Sequence, residues 1–242
     1  MDLCIPLFAE NPTNIKDRAR VAISYQMDGE YRALAGDVAG AMESFRKKLQ
    51  LDEQNLNDDP ANAQARGDVA YSWSRIGEIL ATKGDYAEAL SQERKALGFC
   101  ERLSADSPQD VHMRYRTAIL GGFIAELYAK LGNREQALAA CGKVLGLLKA
   151  LPENFADSVH SGLRGQAYLH LGAAHAVLAA STELTASQQQ EHWRAARDFF
   201  QHSLAIWQDM KLRGVLTADN APKLDETVGE IAKCDAALAA KE

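Results

Sequence analysis

The chain has 242 residues, 27 basic and 33 acidic side chains, and a formal charge of −6 at pH 7. Hydrophobic residues make up 47% and charged residues 25%, a globular balance that excludes disordered, collagen-like and low-complexity classes. Both charge signs are interspersed, so no basic face tracks phosphates and no nucleic-acid partner is expected; no apolar run reaches 18 residues, so no membrane span is expected either.

The chain opens with Met1–Glu10 (MDLCIPLFAE). It lacks Lys, Arg and a small-residue cleavage site, and does not read as a signal peptide. Cys4, Cys100, Cys141 and Cys234 have no paired spacing. They read as free thiols in a reducing compartment, which makes the expected location cytoplasmic.

From residue 12 onward the sequence repeats with a period of 48. Pro12, Pro60 and Pro108 keep the period, as do Gly36, Gly84 and Gly132, each followed by Asp or Asn (Asp37, Asp85, Asn133). Ala41, Ala89 and Ala137 follow in step, then Leu49, Leu97 and Leu145; Gly29 and Gly77 are matched by Ala125. Asn11, Asp59 and Ser107, beside the prolines, are predicted to cap a first helix of about 20 residues. The glycine ends that helix in the left-handed conformation and the Asp or Asn starts a second, amphipathic one. Each unit is thus a helix–turn–helix with antiparallel helices. The predicted units span 12–58, 60–106 and 108–152. Subtracting 48 sets Leu3 opposite Leu51 and Phe99, Cys4 opposite Cys100 and Phe8 opposite Leu56. The opening stretch then reads as the end of a second helix, and the chain as a piece or descendant of a longer array. Pro6 inside such a helix costs about 3 kcal/mol.

A degenerate fourth copy is predicted over 156–213. Tyr168, Leu171 and Gly172 match the first helix; Ala196, Phe200 and Leu204 match the second. About 12 extra residues, Ser181–His192, lie between them, and are expected to extend the two helices or to form a rim loop. Phe199, Phe200, Trp193 and Trp207 are expected to be core. The last segment, about 222–240, carries Leu224, Val228, Ile231 and Leu238 on one side and is expected to cap the array.

The pattern Trp73-x-x-Ile76-Gly77-x-x-Leu80 … Gly84-Asp85-Tyr86-x-x-Ala89 … Ala96-Leu97 resembles the tetratricopeptide repeat family over about 200 residues. The family's usual period is 34; the 14 added residues make about two turns per helix. Small Gly77 and Ala89 are expected to let the helices approach, with Trp73 and Leu80 filling the space around the crossing. In the first copy the large apolar sites are instead Asp28 and Arg32, four apart and able to pair. The resemblance implies one all-α domain, a right-handed superhelical solenoid of about nine helices. It also implies a non-enzymatic protein-interaction module whose first helices line a concave groove. Carried over by position, the groove residues are Gln26, Glu30 and Ala33, then Tyr71, Ser74, Glu78 and Thr82. The third copy gives Ile119, Glu126 and Lys130, and the fourth Gln166, Leu169 and Ala173. Glu30, Glu78 and Glu126 recur with the repeat and are expected to form an acidic stripe, favouring a neutral or basic protein or peptide. A homo-oligomer stays open. The tail Trp207-Gln-Asp-Met … Leu212-Arg-Gly … Lys233-Cys-Asp resembles the C-terminal region of some bacterial serine/threonine kinases. That gives the alternative reading, a docking region of such a signalling protein without its catalytic domain.

No motif of an enzyme is present: no Gly-rich phosphate loop, HExxH, GxSxG, HRD or DFG. No cofactor is expected. His170 and His175 lie five apart, about 140° around a helix, which is poor geometry for a shared metal, and no metal site is expected. A small-molecule role for the groove would need a deep apolar pocket with convergent polar groups.

Overall fold

The computed structural model describes residues 14–152, 158–218 and 220–240. The readings made for Leu3, Cys4, Pro6, Phe8 and Pro12 lie outside these residues. Nine helices and no strand are found among the described residues: α1 Ile15–Leu34, α2 Val38–Asp58, α3 Ala63–Thr82, α4 Tyr86–Asp106, α5 Val111–Lys130, α6 Arg134–Lys149, α7 Ser158–Ala179, α8 Ala186–Leu212 and α9 Ala221–Ala239. They fall into two compact units divided after Leu103, at the end of the second sequence copy. In the first unit α1 packs on α2, and α2 on α3. In the second, α5 packs on α6 and α7, α7 on α8, and α8 on α9.

The turns follow the period. Gly36, Gly84 and Gly132 all have positive φ, between 76° and 84°, a region in which a Cβ would be strained. At the first, the Asp37 amide donates to the Arg32 carbonyl (2.9 Å), closing the end of α1, and the Asp37 carboxylate accepts from Gly40 N–H (2.9 Å) to open α2. Asn133 stands in the same place before α6 without a side-chain cap bond.

The helix starts correct the expected caps. Asn14, Asn62 and Asp110 accept backbone N–H bonds from Lys16, Ala65 and Met113 at 3.0–3.1 Å. They too are 48 apart, but lie three residues after Asn11, Asp59 and Ser107. Pro60 and Pro108 sit in the reversal before the cap, not in the first helical turn.

Within each pair a small residue on the first helix faces a larger one on the second. A Cβ built on Gly29 would lie 2.8 Å from the Phe45 ring; on Gly77, 2.5 Å from a Glu93 oxygen; on Gly172, 2.5 Å from the Phe200 ring. In the third pair Ala125 replaces the glycine, and the facing position holds the smaller Cys141; both join one buried cluster. The sequence paired Gly77 with Ala89; its nearest neighbour is Glu93, one turn further on, while Ala89 is fully buried. Leu80 is buried and Trp73 meets the Phe99 ring edge-on at 5.1 Å. Asp28 and Arg32 pair at 2.8 Å as expected, joined by Asp37 and by the Ser44 hydroxyl. Cys100, Cys141 and Cys234 are buried, and Cys141 and Cys234 are free thiols.

Most of the insertion is helix. Thr185 and Gln188 form a reciprocal capping box that starts α8 at Ala186, so Ala186–His192 are two added turns and only residues 180–185 form a loop. Phe200 and Trp207 are fully buried, as expected.

Candidate functional site

Most groove positions of the first unit are polar, and they pair in two sets, one joining α1 to α3 and one within α3. Tyr71, on α3, donates its hydroxyl to Glu30 on α1 (2.5 Å), and Gln26, one turn back, donates to the same oxygen (3.0 Å). Burial and the Glu30 carboxylate both push the Tyr71 hydroxyl up from its ordinary pKa. Arg75 pairs with Glu78 on α3 and lies over the Phe45 ring, 5.4 Å from its centre. Thr82, at the end of α3, donates to the Ile79 carbonyl (2.8 Å). Behind this face, buried Lys48 and Asp52 pair at 2.7 Å, and Ser72 donates to the same Asp52 oxygen (2.6 Å).

Beneath Ser74 and Glu78 lies a group that the groove pattern did not include. Glu93 is fully buried, with neither carboxyl oxygen hydrogen-bonded. Burial, reinforced by the Glu78 charge, pushes its carboxyl well above the usual range, against the opposing effects of Ser74 and Arg75. Burial of this kind favours the protonated form over the charged one.

In the second unit Glu126 accepts from Lys130 (2.9 Å) and meets His170 Nδ1 at 3.0 Å. Burial raises its pKa, but His170 and Lys130 outweigh that and hold it at about 2. His175 meets His192 instead, Nδ1 to Nδ1 at 3.1 Å. Burial, with His192 nearby, lowers His175 to about 4. The two histidines weighed together in the sequence thus have separate partners.

Two expectations are corrected here. The carboxylates are not an open acidic stripe: Glu30, Glu78 and Glu126 are each engaged by a neighbouring donor or cation. Fourth-copy positions are also not free. Leu169 is buried in a cluster with Ala196, Phe200 and Cys234, against which Ile231 packs, and Gln166 donates to Asn220 (3.4 Å) at the start of α9. The C-terminal helix therefore covers the face assigned to a partner. Ala33 is exposed; Ile119 and Ala173 are half-buried.

Among the described residues no three His, Cys, Asp or Glu side chains come together as metal ligands. No described helix is long and apolar enough to cross a membrane. No family model matches the sequence, and no curated protein matches it. Among solved structures, BtubC (BKLC) from P. vanneervenii is similar over 94% of this chain and 87% of its own, at 15% identity and a TM-score of 0.42.

Proposed function

We propose that the chain is a tetratricopeptide-like helical repeat protein, a solenoid of antiparallel helix pairs that binds a segment of another protein along its first helices. One observation carries the reading: the small-to-large match Gly29/Phe45, Gly77/Glu93, Ala125/Cys141 and Gly172/Phe200 recurs in four pairs. Pairs built alike and stacked in sequence expose extended surfaces suited to protein segments. On α3 the half-buried Tyr71, Ser74, Arg75 and Glu78 offer donors and acceptors beside one another. Their charges are compensated within the chain. A bound segment would therefore be recognised by hydrogen bonding and shape more than by net charge.

The test is affinity capture with the full chain, comparing wild type with Glu78→Lys and Thr82→Arg on α3 and with Lys95→Glu on α4. The reading predicts a partner retained by wild type and Lys95→Glu and lost from both α3 variants. Equal recovery by all four proteins would reject the groove.

A further inference from the structure

Helix α1 is apolar on two sides. One side buries Val21, Ala22 and Gly29. The other exposes Ile23 (56%), Met27 (65%), Tyr31 (74%) and Leu34 (86%). At spacings of four, four and three these four fall within about 80° of the helix circumference. A helix apolar on both sides is one that is covered on both sides.

The repeat register says what kind of cover the face takes. In the second copy its first three positions are Tyr71, Arg75 and Ile79: Tyr71 bonds Glu30, Arg75 lies on Phe45, and Ile79 is buried. In the fourth they are Gln166, His170 and Ala174, where His170 packs on Phe123 and bonds Glu126, and Ala174 is fully buried. This is the face a first helix turns to a neighbouring helix, and on α1 it stands exposed.

We propose that a second copy of this chain docks there, α1 against α1, antiparallel about a twofold axis near Met27. At roughly 200 Å² per large side chain, the exposures amount to a patch of about 600 Å². That is large for a monomer surface and approaches the ~800 Å² per partner of a specific interface. The patch is self-complementary, as a twofold contact requires. Antiparallel pairing centred on Met27 sets Tyr31 against Ile23 of the second copy. It sets Leu34 against the aliphatic stem of the second copy's Arg20, whose exposed guanidinium then approaches Asp37 beyond the helix end. Arg20 is 69% exposed, with Asp17 as its ion-pair partner on the same helix. The inference does not depend on the groove reading.

Sedimentation equilibrium of the full chain, from about 1 to 200 µM in physiological salt, tests it. Wild type is expected to pass from monomer to dimer over this range. Met27→Asp and Tyr31→Asp, both on exposed positions, should each weaken association at least tenfold while keeping the wild-type melting curve. Leu212→Asp, equally exposed on α8, should associate as wild type does. A wild type that stays monomeric throughout, its face covered by other residues of the same chain or open to a different protein, overturns the proposal. So does a dimer that both α1 variants form unchanged.

Discussion

Replacing Glu93 by Gln removes a titratable proton and almost nothing else. The side chain is fully buried against Gly77, and Ser74, Arg75 and Glu78 are the polar neighbours facing it from α3. Its folded pKa lies well above the unfolded value, so between the two the unfolded chain has released a proton that the folded chain still holds. Stability is then fully present below the unfolded pKa, about 4.5, and is lost as pH rises through the folded pKa. Relative to Glu93→Gln, wild type should lose up to ~1.4 kcal/mol per pH unit across that window. For a cooperative unit of about 100 residues this is about 7 °C in melting temperature per pH unit. The two proteins should melt alike near pH 4.5, and the Gln variant should melt progressively higher than wild type toward neutrality. The assay is thermal unfolding by circular dichroism from pH 4.5 to 8.5. Parallel curves, or a Gln variant that falls further below wild type as pH rises, would mean that Glu93 is ionised and paired, and would refute the reasoning.

Gly172→Ala should destabilise by about 1–3 kcal/mol, because its Cβ would press on the Phe200 ring; Gly67→Ala, with open space inside α3, should stabilise by about 0.5–1 kcal/mol. Urea titration distinguishes these opposite signs. Lys48→Met should cost about 3–5 kcal/mol in the same assay by stranding Asp52, while Lys48→Met with Asp52→Leu should recover most of it. His175 has a folded pKa of about 4, below the ordinary imidazole value. Its contribution is therefore present above pH 6.5 and lost as pH falls through 4. His175→Leu, the residue type of Leu80 in the second copy, should flatten that acid loss in melts between pH 7 and 4; an unchanged acid slope would count against it.

Chain order, helix number and turn positions were legible because each depends on local chemistry: a glycine that must be left-handed, an Asp or Asn beside it, apolar residues at helical spacing. The caps were misplaced by three residues because an Asx residue next to proline and another two beyond it look alike until the backbone shows which carboxyl or amide meets a free N–H. Glu93 was visible in principle. Its column holds Phe45 and Cys141, and an acid there breaks the pattern. What the sequence could not carry was the pairing across helices 41 to 54 residues apart. His170 engaging Glu126, Tyr71 engaging Glu30, and Gln166 meeting Asn220 are tertiary facts. They changed the site most, turning an expected acidic surface into a compensated network and placing α9 over Leu169.

The proposal that the first helices of the pairs receive another protein has a direct test. Hydrogen–deuterium exchange of the full chain, free and saturated with the captured partner, tests this most directly. Protection concentrated in α1 and α3 of the first unit, around Gln26, Tyr71, Ser74 and Glu78, is the predicted result. Protection confined to α2 and α4, with α1 and α3 unchanged, would contradict it.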